Sequence, residues 1–164
     1  MAITFADNMA PFAVGRRINM EEWNTITRTK GDADTSTGAP LPFGVPVKPG
    51  TGAHTCVEIT AAGGENVLGI TEASQVLPHP GDEYLQYDNV AICEVGVIGV
   101  QLGADVTRGA PARWDTVARK WTGAGQSATV VTIPGAQFEE DGASGTVGAI
   151  RYRRPVPSLS VSGA

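Results

Sequence analysis

The chain has 164 residues, of which 18% are charged, and its formal net charge is −5. This length is enough for one domain with a real hydrophobic core but not for two. The acidic balance argues against nucleic acid as the main partner, because phosphate binding requires a clustered basic surface. No apolar run approaches the roughly 18 residues of a membrane helix and no secretory signal is recognisable, so we expect no membrane partner.

Residues 1–42 are predicted to form an N-terminal arm and loop. The first 15 residues mix apolar side chains with Asn, Asp and Pro and keep no regular period. The β-branched run Thr25–Thr27 favours a strand, and the small polar residues from Lys30 to Pro40 indicate a loop. Because no pattern here shows how the segment would be buried on its own chain, we interpret it as an extended arm.

Residues 43–154 show the pattern of a compact antiparallel β-barrel or sandwich, followed by a C-terminal tail at 155–164. Seven short β-branched or apolar runs are each bounded by Gly, Pro, Asp or Asn, with turns roughly every 8–12 residues. The runs are Val45–Lys48, Thr55–Thr60, Val67–Thr71, Val90–Leu102, Ala110–Asp115, Ala128–Ile133 and Thr146–Tyr152. The predicted fold class is therefore all-β.

The fourth of these runs is apolar on both faces, so we expect it to be covered on both sides. Its internal glycines, Gly96 and Gly99, are typical of a bulge or a sharp bend. The segment Asp115–Lys120 then indicates a hairpin with Trp114 and Trp121 close to its two ends. Packing, and not chemistry, explains this part of the sequence.

Few residues offer chemistry. His54, Cys56, His79 and Cys93 could in principle supply four zinc ligands, but no C-x-x-C or H-x-x-x-H spacing supports a metal site. Both cysteines lie in apolar runs, so free, buried and inert thiols are the better interpretation. No glycine-rich stretch matches a P-loop or dinucleotide fingerprint. We therefore predict a protein that is not an enzyme, with no catalytic residue, metal or cofactor.

Seven short motifs follow one another between residues 43 and 152. They are Phe43–Thr51, Val67–Thr71, Tyr87–Ala91, Gly96–Val100, Val106–Pro111, Ile133–Phe138 and Gly148–Tyr152. In this order they resemble the structural cement, or head-decoration, proteins of tailed bacteriophages. The long polar loop before Phe43 departs from the family pattern.

The resemblance implies a capsid cement protein on the outside of an icosahedral head. Such a protein binds neighbouring copies of the major capsid protein, bridges them, and stabilises the mature shell. The resemblance further implies self-association as a homotrimer, assembly in the host cytoplasm, a final location on the capsid exterior, and no catalytic residues.

The apolar residues of the arm suggest a contact surface, because soluble monomers avoid large exposed apolar patches. We expect Phe5, Phe12 and Trp23 to be buried on a neighbouring chain, either another copy or the capsid protein. Arg16 and Arg17 would pair with acidic residues there. The alternative is that the arm folds back on its own chain.

Two other functions stay open. A small ligand- or carbohydrate-binding β-module of a phage virion would need a cluster of aromatic side chains on one exposed face, and Trp23, Trp114 and Trp121 are scattered in the sequence. A small β-barrel hydrolase would need a nucleophile with a base, for which only two histidines are present.

Overall fold

The computed structural model describes residues 13–19, 21–31, 40–60, 66–73 and 81–155. These residues form eleven strands and no helix, which confirms the predicted all-β class. The strands are β1 (Asn24–Lys30), β2 (Leu41–Pro42), β3 (Pro46–Pro49), β4 (Thr55–Glu58), β5 (Gly69–Thr71), β6 (Glu83–Tyr84), β7 (Asn89–Gln101), β8 (Pro111–Asp115), β9 (Lys120–Thr122), β10 (Val130–Phe138) and β11 (Val147–Arg153). Nothing in this part of the chain is a helix long and apolar enough to cross a membrane.

Nine of these strands form one sheet, in the order β1-β4-β3-β5-β7-β11-β10-β8-β9, and β2 pairs with β6 in a small second sheet. Among the described strands, β1 and β4 form the one parallel pair, so the large sheet is mixed. Strands β2 and β3 lie between them in the chain and provide the long crossover that a parallel pair requires. The architecture fits a sandwich.

Strand β7 is shared by the two halves of the molecule, one built on β1, β4, β3 and β5 and the other on β11, β10, β8 and β9. Its first half has β1 on one edge and β5 on the other, where Ile92 pairs with Ile26 and with Thr71. The additional β1–β7 pairing closes β1, β4, β3, β5 and β7 into a ring of paired strands. Its second half pairs with β11, and Leu102 just beyond it bridges to Trp121 in β9. As predicted, this strand is covered on both sides, with buried side chains at Val90, Ile92, Cys93, Val97, Ile98 and Val100.

A bulge interrupts β7 at Glu94, two residues before Gly96, one of the two glycines at which the sequence predicts a bulge or a bend. Asn24 pairs with Val95 and Thr25 pairs with Cys93, so the residue between them on β7, Glu94, has no opposite partner in β1. Gly96 follows with φ +152°. The bulge therefore lies beside this glycine, at the point where the partner of β7 changes from β5 to β11.

Two buried tryptophans join the second half to the first. Trp114 and Trp121 pair across the β8–β9 hairpin, with ring centroids 5.6 Å apart at an interplanar angle of 64°. The Trp114 indole N–H donates to the carbonyl of Ile59 (3.1 Å), and that of Trp121 donates to the carbonyl of Gly44 (2.7 Å). The predicted hairpin is confirmed, and its tryptophans are core residues.

The described residues of the N-terminal segment run along the free edge of β7. The Gly15 N–H donates to Gly99 (2.8 Å), the Gly99 N–H donates to Arg16 (2.9 Å), and the Ile18 N–H donates to Val97 (3.0 Å). Strand β1 then continues on the same edge. From Ala13 to Lys30 the described residues thus contact their own chain, whereas the first twelve residues of the predicted arm lie outside the described part.

Candidate interaction surface

Arg17 and Trp23, two of the predicted interface residues, contact each other. The Arg17 guanidinium lies over the Trp23 ring, 5.1 Å from its centroid, and donates to the backbone carbonyls of Asn19 (2.8 Å) and Glu21 (2.9 Å). The Trp23 indole N–H donates to the Thr25 hydroxyl at 2.7 Å. We call residues 13–19 and 21–23, which these contacts organise, the strap.

The other predicted interface residues are placed differently. Arg16 is exposed in the strap, and its backbone N–H donates to Ala13 at 3.2 Å. Phe5 and Phe12 lie outside the described residues. That these side chains bind a neighbouring chain therefore stays a prediction. The Arg17–Trp23 contact was not predictable from the sequence, because the strap has neither a helical nor a strand period.

Ion pairs fasten the strap to β11. The arginines at the end of β11 form ion pairs within the chain. The pairs are Arg151 with Glu21 (2.7 Å) and Glu139, Arg153 with Glu22, and Arg154 with Glu94 (2.5 Å). The hydrogen bond from Arg151 lowers the pKa of the Glu139 carboxyl. These three arginines are therefore already paired with carboxylates of their own chain, although each such exposed ion pair contributes little stability.

A polar network lies under the strap. The Thr25 hydroxyl donates to Glu72 (2.6 Å), and the Tyr84 hydroxyl donates to the Glu72 backbone carbonyl (2.7 Å). Burial raises the pKa of the Glu72 carboxyl, and it raises the pKa of Tyr84 to about 12. These groups connect β1, β5 and β6, so their hydrogen bonds are structural.

The thiols and histidines do not form a site. Cys56 and Cys93 are free and buried, as predicted, and burial raises the pKa of the Cys56 thiol to about 11. His54 is exposed, and His79 lies outside the described residues. Within the described ranges, no three His, Cys, Asp or Glu side chains lie close enough together to hold a metal ion.

A cavity of about 270 Å³ lies between the two halves of the molecule. Trp114 and Trp121 are among its lining residues, with Asp82 and Arg119 as charged neighbours. The two tryptophans are only 1% and 0% exposed, so their ring faces are not available for stacking against a sugar. This geometry gives no support to a carbohydrate-binding module.

Three large apolar side chains are exposed in the described part of the chain: Leu85 (52%), Tyr87 (66%) and Val117 (76%). They lie on two turns, at residues 85–88 before β7 and at residues 116–119 between β8 and β9. Sequence reasoning missed them because a single apolar residue in a polar turn produces no periodic signal.

Comparisons with known proteins point to one kind of structure. A model of the family described as "Structural cement protein (E217 gp24/Pam3 gp6)" matches residues 1–153. Among solved structures, a chain of "The capsid of Myoviridae Phage XM1" is similar with a TM-score of 0.68 and 14% sequence identity, covering 95% of this chain and 100% of that chain. At this identity the likeness concerns the fold. No curated protein matches the sequence.

Proposed function

Because this chain belongs to the phage structural cement protein family, whose role is structural and capsid-associated, we propose that it binds the outside of the phage head and bridges neighbouring major capsid protein subunits. Bridging stabilises the mature shell. The observation that carries this proposal is the family match over residues 1–153, and the fold of the XM1 capsid chain supports it. The proposal includes no catalytic step, cofactor, nucleic acid or membrane.

The proposed assembly is a homotrimer on the capsid exterior, formed in the host cytoplasm. A shared central strand suits such a role, because β7 hydrogen-bonds with strands of both halves and so connects them through one continuous backbone. Light scattering of the purified protein tests the trimer: a mass three times the 17.0 kDa of the chain supports it, and a mass of 17.0 kDa contradicts it.

The proposed contacts with the neighbouring chain are made by the N-terminal segment. Phe5, Phe12 and Arg16 would reach the neighbour, while Arg17 and Trp23 set the direction in which the segment leaves the sheet. An extended segment of twelve residues spans up to ~40 Å, which is enough to cross onto an adjacent subunit. Exposure of Arg16 and the own-chain contacts of the strap support this division of roles.

Removing residues 1–12 tests the proposed function. The described hydrogen bonds of the strap begin at Ala13, so this deletion leaves them in place. We expect the truncated protein to keep its β-rich circular dichroism and its unfolding midpoint, but to co-sediment with heads lacking the protein at least tenfold more weakly. A protein without residues 159–164 is the control and is expected to bind as the full chain does.

Two results would contradict the proposal. If the full chain neither co-sediments with heads nor raises the temperature at which they release DNA, the cement function is wrong. If the full chain binds and the truncated chain binds equally well, the function stands but the role of the N-terminal segment is wrong.

A further inference from the structure

The cavity between the two halves has room for about one long side chain. Its volume is about 270 Å³, whereas pockets for drug-sized ligands measure about 300–1,000 Å³. Its apolar lining residues are Val14, Pro42, Phe43, Val45, Trp114 and Trp121. The two tryptophans are buried, but Val14 and Pro42 are half-buried, and Asp82, which also lines the cavity, is exposed. The cavity is therefore open to solvent on the side that Val14, Pro42 and Asp82 form.

Two polar side chains that line this cavity already have partners. The Arg119 guanidinium donates to both carboxylate oxygens of Glu58, from Nε at 3.0 Å and from Nη2 at 2.5 Å. The Gln101 amide nitrogen donates to the carbonyls of Gly145 (3.0 Å) and Thr146 (3.2 Å). The positive charge of Arg119 is thus matched by Glu58, and the amide donor of Gln101 is in use.

The Asp82 carboxylate is different. Among the described residues it accepts no hydrogen bond and forms no ion pair, although Arg119 lines the same cavity. Since the charges of Arg119 and Glu58 balance each other, Asp82 leaves the cavity with a net negative charge. An apolar cavity with one unmatched carboxylate favours a partner group that carries a positive charge.

The backbone at Asp82 requires a special residue, but it does not require a charge. Asp82 has φ +56°, in the left-handed region that glycine, asparagine and aspartate accept most readily. Its carbonyl accepts the Phe43 N–H at 3.0 Å, and the next residue, Glu83, pairs with Pro42. Asparagine would satisfy this backbone equally well. The carboxylate is therefore held on a fixed backbone without a structural task among the described residues.

The apolar and the charged parts of the open side lie close together. A Cβ atom at Gly44 would lie 2.6 Å from Cγ1 of Val14, and the residue before Gly44, Phe43, is hydrogen-bonded to Asp82. Val14 and Asp82 thus flank two consecutive residues, whose Cα atoms are ~3.8 Å apart. A lysine side chain can cover this span, with its methylene groups on the apolar surface and its ammonium group at the carboxylate.

The chain itself is poorly equipped to supply that lysine. It contains three lysines, Lys30, Lys48 and Lys120. Lys30 is only 3% exposed, and Lys48 and Lys120 are half-buried. None of them is presented freely enough to enter the cavity of a second copy. The lysine is therefore expected from a different protein.

We propose that the cavity between the two halves receives a lysine side chain of a shell protein, whose stem lies on Val14 and Pro42 and whose ammonium group pairs with Asp82. The cavity walls shield this ion pair from water, which strengthens it relative to a pair on open surface. This assignment rests on the proposed cement function and names one contact that performs it, in addition to the N-terminal segment.

Two variants of the full-length protein test the cavity with heads that lack this protein. Asp82→Asn removes the charge and tolerates the left-handed backbone. Its matched control is Glu83→Gln, which removes the same charge at the next residue, outside the lining of the cavity. Val14→Phe narrows the cavity without changing its charge, and Val14→Ala is the control that leaves it open.

We expect Asp82→Asn to keep the wild-type unfolding midpoint and to bind heads at least tenfold more weakly, whereas Glu83→Gln should bind within twofold of the wild type. Val14→Phe should also weaken binding at least tenfold, and Val14→Ala less than threefold. If Val14→Phe does not fold, Asp82→Asn against Glu83→Gln decides alone.

Carbodiimide cross-linking of decorated heads identifies the occupant, because this reagent joins a carboxylate to a neighbouring lysine amine with loss of water. We expect mass spectrometry to find Asp82 linked to a lysine of a shell protein, and the link to be absent from Asp82→Asn.

Several outcomes would overturn the assignment. If Asp82→Asn binds within twofold of the wild type, or if Glu83→Gln weakens binding as much as it does, the cavity is not the contact. No link to Asp82 excludes a lysine there, and a link to a lysine of another copy makes the assignment to the shell wrong. A wild-type protein that fails to bind heads at all instead overturns the cement function.

Discussion

Replacing Gly96 with alanine tests whether the Trp23 ring holds the strap on the sheet. A Cβ atom at Gly96 would lie 2.2 Å from Cε3 and 2.6 Å from Cζ3 of Trp23. Carbon atoms do not approach this closely, so the ring would have to leave β7. Because Arg17 lies over the same ring at 5.1 Å, its position would be lost as well.

The expected cost has two parts. Forcing an extra methyl group into a packed site costs about 1–3 kcal/mol, and a side chain at a sparsely populated φ, here +152°, costs about 1–3 kcal/mol more. We therefore expect Gly96→Ala to lower the free energy of unfolding by about 2–6 kcal/mol. Urea unfolding, followed by circular dichroism and tryptophan fluorescence, measures this difference.

Two other glycines separate the two parts of the cost. A Cβ at Gly145 meets nothing within 4 Å although its φ is +81°, so Gly145→Ala reports the backbone cost by itself. Gly125 has neither a close neighbour nor a positive φ, and Gly125→Ala should stay within about 0.5 kcal/mol of the wild type. The reasoning is refuted if Gly96→Ala costs no more than Gly145→Ala, or if Trp23→Ala and Gly96→Ala are simply additive.

Two further predictions concern buried groups. Replacing Cys56 and Cys93 with alanine should cost roughly 1–3 kcal/mol through lost burial. Neither thiol of the folded protein should react with a disulfide reagent at pH 8, because both are buried and burial raises the pKa of the Cys56 thiol to about 11. Reaction of either thiol before the protein unfolds would contradict this. Arg119→Met should cost about 1–3 kcal/mol, since it leaves the carboxylate of Glu58, 5% exposed, without its cation. Lys120→Met is the control, and an equal loss in both variants would show that the ion pair contributes nothing.

Periodicity and turn chemistry were enough to predict most of the sheet. All seven predicted runs from residue 45 onward overlap strands, and the two-sided apolar pattern around Ile92 and Ile98 identified the central strand. Gly96 indicated a bulge nearby, which lies at Glu94, because a strand interior accepts glycine close to where the backbone departs from regular pairing. These signals are local, and local patterns are what a single sequence contains.

The features that the sequence did not reveal depend on distant partners. The parallel β1–β4 pair needs a crossover whose path no local pattern records. The sequence of the strap shows no helical or strand periodicity, because its residues are held individually, by backbone hydrogen bonds to Gly99 and Val97 and by the Arg17–Trp23 contact. Pairing of Glu21 with Arg151, 130 positions along the chain, is likewise invisible to composition or spacing.

Charge pairing balances one region of the described surface. Near the strap, the arginines of β11 are each matched with a carboxylate of the same chain, so little net charge is left there to attract a partner. Since the chain as a whole carries 17 acidic against 12 basic residues, its net negative charge lies outside this balanced region. Charge-balanced surface is neutral toward its surroundings, so charge does little to select a partner near the strap.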